Sequence, residues 1–128
     1  MAVRVVRLGS PRGKGEGLRL GTVRRPPRGV PKSEFASRDF YDVWLPNLAP
    51  SEVLVKAALR ATDEQAWRAF VRRYRAEMKR PEASRVLDLL AALSRGADFS
   101  VGCYCEHERR CHRSVLRELL EERGARLA

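Results

Sequence analysis

Residues 103 to 113 read CYCEHERRCHR, and this stretch holds all three cysteines and both histidines of the chain. Thiolate sulfur and imidazole nitrogen bind soft and borderline metals, and they also serve as nucleophile and proton carrier. Three chemistries therefore compete for the stretch. As metal ligands, Cys103, Cys105, Cys111 and His112 suit zinc or iron, with Glu106 or His107 as alternatives. The spacing is compact for that purpose: one C-x-C, five residues, then C-H. Structural zinc sites favour wider pairs from two separated knuckles.

As reactive thiols, Cys105 and Cys111 are the candidates. A helix N-terminus with arginine or histidine beside it lowers a thiol pKa from its ordinary value of about 8.5. Cys111, followed by His112 and Arg113 where a helix should begin, meets that description. Cys103 and Arg109 also stand at the C-x5-R spacing of a phosphate-binding loop. The YCEHE between them has no glycine and brings two carboxylates that would repel phosphate, so that match is discounted.

The third chemistry needs neither metal nor covalent bond. Arg113 in the first turn of a helix, with the helix N–H groups and Arg28 from a distant PPRG segment, would cradle a phosphate or carboxylate. Glu106 and His112 would then be at hand as general base or acid toward a nucleotide-like ligand. Plainer roles stand beside all three: Cys103 as a small apolar core residue, His112 as a helix cap, and Arg113 paired with Glu106 to hold the loop.

The surrounding pattern says which elements must position these groups. VRVVRL (3 to 8) and LRLGTVR (18 to 24) read as strands, joined by the turn-rich SPRGKGEG. They form either a hairpin or two members of a larger sheet. VRRPPRGVPK leaves the second strand as a stiff basic loop, since consecutive prolines lack the N–H donor. SEFASRDFYD (33 to 42) suggests a short helix capped by Ser33, and DVWLPN is either a short strand or extended loop.

A helix starts after Ser51. The next, from Thr62 or Asp63, carries Trp67, Phe70, Val71, Tyr74 and Met78 on one face, an aromatic stripe suited to core packing. Pro81 opens a third, with Val86, Leu87, Leu90 and Leu93 inward and Gly96 past its end. ADFSVGCYC (97 to 105) reads as a buried central strand. HRSVLRELLEERG closes the chain as a helix burying Val115, Leu116, Leu119 and Leu120, stopped by Gly124. Alternating strands and helices predict an α/β fold: a single-domain sandwich over residues 1–128, its small, largely parallel central sheet flanked by helices. The motif then lies where a strand ends and a helix begins, the edge of an open α/β sheet where ligands bind.

Three blocks are similar to a known family. VRRPPRGVPK (23 to 32) resembles a strand-following R-x-W/P-P-R-G-x-x-K stretch, and WRAFVRRYRAEM resembles a W-x-x-F-x-x-x-Y-x-x-E-[LM] helix. CYCEHERRCHRSVL resembles a strand followed by C-x-E, a short loop and C-H-R. On these the chain is identified as a member of the YeaO-like family, domain of unknown function 488, over most of residues 18 to 124. The resemblance implies a small α/β fold and maps its motif positions onto Arg25, Arg28 and Gly29 in the first block and Cys105, Glu106, Cys111, His112 and Arg113 in the last. It implies a pocket, without a reaction.

Composition bounds the partners. With 44% hydrophobic and 33% charged residues the chain is globular, and its length suffices for one core. No run of 18 apolar residues is present and the N-terminus lacks a signal-peptide pattern, so a cytoplasmic protein without a membrane partner is expected. Three cysteines in a reducing compartment read as thiols or ligands. The net charge is +10, and residues 1 to 32 carry nine Lys/Arg against one acid, Glu16. That concentration predicts either a small anionic ligand or nucleic acid as partner. Arginine supplies 22 of the 26 bases, a bias that genome composition alone could also create.

Overall fold

The computed structural model describes all 128 residues. Four strands form one sheet: β1 (Val3–Arg7), β2 (Leu18–Gly21), β3 (Val43–Trp44) and β4 (Phe99–Cys103). Their order is β1-β4-β2-β3 and every pairing is parallel. β4 takes the middle because FSVGC offers only apolar or small side chains, and all five residues are buried. The hairpin between the first two strands is not formed. β1 and β2 flank β4 on opposite sides, and the glycine-rich loop between them bridges the sheet rather than turning tightly.

Two glycines stand opposite each other across the β2–β4 ladder, Gly21 and Gly102. A Cβ on Gly21 would meet the Tyr41 ring at 2.4 Å, and one on Gly102 would meet a Leu8 methyl carbon at 2.7 Å. Glycine lets both side chains lie directly on the backbone where the site begins.

The helices are α1 (Glu52–Arg60), α2 (Glu64–Met78), α3 (Pro81–Leu93) and α4 (His112–Glu122). Ser51 and Asp63 cap α1 and α2, accepting from the amides of Leu54 and Ala66. Gly124, with φ of 80°, ends α4: its amide bonds the Glu121 carbonyl and that of Ala125 bonds Leu120, a paired closure that needs a left-handed residue.

The main core joins Trp67, Phe70, Tyr74 and Met78 of α2 to Leu87 and Leu90 of α3, and to Val115, Leu116, Leu119 and Leu120 of α4. Val71 and Val86 are half-buried at its margin. Leu93 does not point inward and is 44% exposed. At 3.6 residues per turn it sits about 120° round the helix from Leu87, so Ala91 and Ser94 take the inner face instead.

The segment 33 to 42 also differs from expectation. Only Lys32–Glu34 forms a single 3-10 turn, begun at Pro31 rather than Ser33. Its aromatic residues at 35, 40 and 41 do not follow a helical stripe. Phe35 and Tyr41 meet edge to face at 5.2 Å, and Asp39 turns left-handed at φ 62° to allow it.

The loop before β2 is fixed by a buried ion pair. Arg19 Nε donates to Glu16 Oε2 at 2.8 Å and a second guanidinium nitrogen to Oε1 at 3.0 Å. Ser100 Oγ of β4 donates to the same carboxylate at 2.7 Å, and the Gly13 amide at 3.1 Å. Burial alone would raise the Glu16 pKa, but these donors outweigh it and hold the carboxyl at about 2. Arg19 also donates to the carbonyls of Ser10 and Asp39, so one guanidinium ties three segments together. No helix is long and apolar enough to cross a membrane.

Candidate functional site

The motif lies beyond the carboxyl end of β4, as its position between strand and helix predicts. Cys103 is the last residue of the strand. Alternation brings Cys105 round to the same side, and the two sulfurs are 3.6 Å apart. A short 3-10 turn, Glu108–Arg110, then delivers Cys111 to the N-cap of α4. There Cys111 Sγ accepts from the Arg113 amide at 3.5 Å, in the place a serine or aspartate oxygen usually fills.

His112 follows as the first helical residue and is buried. Its Nε2 lies 2.7 Å from the carbonyl oxygen of Thr22, just past β2. A carbonyl only accepts, so Nε2 carries a proton, and in the neutral ring Nδ1 holds the lone pair. That Nδ1 sits 3.8 Å from Cys111 Sγ. The Tyr74 ring packs on the imidazole at 5.5 Å, edge to face, and Tyr74 itself is held by its hydroxyl donating to the Leu48 carbonyl at 2.6 Å. One ligand atom each from Cys103, Cys111 and His112 lie within 4.8 Å of one another.

The three thiols differ in environment. Cys103 and Cys111 are buried and Cys105 is exposed. Hydrogen bonds from the other two thiols, and the nearby Arg113 charge, lower the Cys105 pKa below the usual thiol range. Cys103, giving up its hydrogen to that bond and shut away from water, is raised. Cys111 is lowered, chiefly by the hydrogen bond with the Cys103 thiol.

Arg113 does not reach into open space. It is buried, its guanidinium donates to the Cys105 carbonyl at 2.6 Å, and its Nε has no partner. The pairing with Glu106 is absent. Arg113 holds the loop through the backbone instead, and Glu106 is exposed. His112, likewise, is not the helix cap; Cys111 is.

The basic loop after β2 lies alongside. Trp44 Nε1 donates to the Val23 carbonyl at 2.8 Å, and Arg24 donates to the carbonyls of Pro46, Ala49 and Pro50. The hydroxyl of Tyr104, between the first two cysteines, donates to the Arg25 carbonyl at 2.9 Å. That bond joins the PPRG block to the cysteine block. Between them and α1 opens a cavity of about 540 Å³. Its walls include Val23, Pro26, Pro27, Phe40, Val55 and Leu59, and Cys103, Cys105, Cys111 and His112 form its floor. Five basic side chains line it, Arg24, Arg25, Arg28, Lys56 and Arg110, against one acid, Glu52. Arg25 is paired with Glu52 and Arg110 with Glu64. Arg28 and Lys56 have exposed side chains free of ion pairs. Gly29 takes φ 71° after Arg28, turning the loop where nothing crowds its Cα.

Sequence reasoning thus located both blocks but not their third wall. Val55, Lys56 and Leu59 carry no motif, and α1 is brought here only by the fold. Thr22 contributes through its carbonyl, which no side-chain signal announces.

A small parallel α/β domain with a cysteine–histidine cluster at a strand-to-helix turn is therefore the class of protein the fold and site define. Residues 3–124 match the family model described as the active DUF488-N3 subclade, so the chain belongs to the DUF488 family. Comparison with curated proteins and with solved structures gives no match.

Proposed function

We propose that the protein binds a small amphipathic anion, phosphate-bearing and nucleotide-like, in the cavity between the PPRG loop, α1 and the cysteine loop. The observation that carries this reading is the pairing of two exposed cations free of any ion pair, Arg28 and Lys56, with apolar walls in one cleft of about 540 Å³. Cavities of a few hundred cubic ångströms with mostly apolar walls and few polar groups suit small ligands. Proline rings and Phe40 offer flat surfaces to a planar body, and the cations at the rim offer charge to its phosphate. The thiols and imidazole on the floor face the ligand's far end.

The basic N-terminal segment supports a nucleic-acid surface less well. Of its nine bases, Arg12, Arg19 and Arg25 are ion-paired, and Arg4, Arg7 and Arg24 donate to backbone carbonyls, so few of them face solvent without a partner.

Calorimetric titration with a panel of nucleoside monophosphates tests the reading, with the parent nucleosides as controls. One monophosphate should bind one-to-one, and Arg28→Glu with Lys56→Glu should weaken it by at least about tenfold. Affinity should fall modestly between 50 and 200 mM salt. Loss of binding by orders of magnitude over that range, together with binding to oligonucleotides, would favour a nucleic-acid surface instead.

A further inference from the structure

Buried Arg113 has no carboxylate within ion-pairing distance, although its side chain is almost wholly removed from water. A buried guanidinium without a counter-charge is costly, and native structures compensate it. Every carboxylate near the loop is otherwise engaged or exposed: Glu108 is bidentate to Arg117, and Glu106 points to solvent. The Arg113 guanidinium donates to the Cys105 carbonyl, and its backbone amide to Cys111 Sγ. Beside it, sulfur and imidazole donors are collected at one point, which is what a soft cation requires.

From this and the spacing of the donors we infer that the cleft floor is a metal site, in which Cys103, Cys111 and His112 Nδ1 bind a thiophilic divalent cation of the zinc class and Cys105 closes the fourth position. Ligand atoms of Cys103, Cys111 and His112 lie within 4.8 Å of one another, and two donor separations are close to those of a filled site. A tetrahedral zinc with Zn–S of about 2.3 Å and Zn–N of about 2.0 Å has S···S edges of about 3.8 Å and S···N edges of about 3.5 Å. The structure has 3.6 Å between Cys103 and Cys105 sulfurs and 3.8 Å between Cys111 Sγ and His112 Nδ1.

Two outer contacts are those such a site needs. The Thr22 carbonyl accepts the Nε2 proton of His112, which fixes the tautomer and aims the Nδ1 lone pair at the sulfurs. The Arg113 amide donates to a ligand sulfur, and the Arg113 charge offsets the net negative charge of three thiolates around a dication. On binding, each thiol surrenders its proton to solvent and the neutral imidazole surrenders none. This inference does not rest on anion binding, and its test contains no anionic ligand.

The test titrates cobalt(II) into reduced, metal-free wild-type protein without oxygen. One equivalent should bind, with thiolate-to-cobalt charge transfer in the near ultraviolet and strong tetrahedral bands in the visible, both bleached by zinc. His112→Ala should weaken uptake at least about tenfold, while His107→Ala should match wild type. A pale octahedral spectrum, or no saturable uptake by the wild type, would overturn the inference without touching the anion cleft. Equal uptake by His112→Ala and wild type would overturn the ligand assignment. Because the wild-type spectrum alone counts thiolate ligation, a variant that fails to fold does not leave the matter open.

Discussion

The imidazole Nε2 of His112 lies 2.7 Å from the carbonyl oxygen of Thr22, joining the start of α4 to the end of β2. Residues 90 positions apart in sequence are thereby locked across the site. Thr22 is itself tied to β4, since both its amide and its hydroxyl donate to the Gly102 carbonyl. One short chain of bonds therefore sets the tautomer of His112, the end of β2 and the point where the basic loop departs.

Removing the imidazole should be expensive even in the metal-free protein. His112→Ala leaves the Thr22 carbonyl without its donor and opens a void beside Tyr74. A loss of about 2–4 kcal/mol is expected from urea unfolding in the presence of chelator. His107→Ala, at an exposed position, should change stability by no more than about 0.5 kcal/mol. Equal small effects would show that the Thr22 contact carries no energy.

Acid should act through Glu16. Its folded-state pKa, at about 2, is lowered from an ordinary value of 4.5. The stabilisation is therefore complete above pH about 4.5 and is lost as pH falls through about 2. A lowering of this size corresponds to about 3 kcal/mol. Glu16→Gln should be less stable than wild type at pH 7, and the difference should shrink steadily between pH 5 and 2. A difference that stays constant with pH would mean that shape, not charge, is what Arg19 and Ser100 require of this side chain.

The thiols should separate by accessibility. In reduced, chelator-treated protein, iodoacetamide should modify Cys105 first, because it alone is exposed. Cys103 and Cys111, at 7% and 2% exposure, should react at least about tenfold more slowly until the protein unfolds. Peptide mapping by mass spectrometry reads the order. Early labelling of Cys111 would contradict its place at the buried cap of α4.

Where hydrophobic period decides structure, the sequence was informative. The α2 stripe, the α4 stripe and the buried central strand all follow from spacing alone, because each face meets one continuous core. Leu93 was misplaced because α3 offers leucine on more than one side, and only packing selects among them. The pairing of β1 and β2 was open for a similar reason: two short valine- and leucine-rich runs do not say what lies between them. At the site, residue types betrayed the cysteine and histidine cluster. Arg113 was legible as important but not in its role, since a buried charge that braces a loop and one that meets a ligand look alike in sequence. The wall supplied by α1 was illegible, being assembled from plain residues distant along the chain.

The most direct test of the anion cleft is a map of ligand-induced chemical shifts on isotope-labelled protein titrated with nucleoside monophosphates at 150 mM salt. The account predicts one saturating set of shifts confined to residues 23–28, 52–59 and 103–112 together with Phe40 and Phe70, which enclose the cavity. Shifts that fail to saturate, or that spread over the basic residues Arg12 and Lys14 of the loop between β1 and β2, would contradict it.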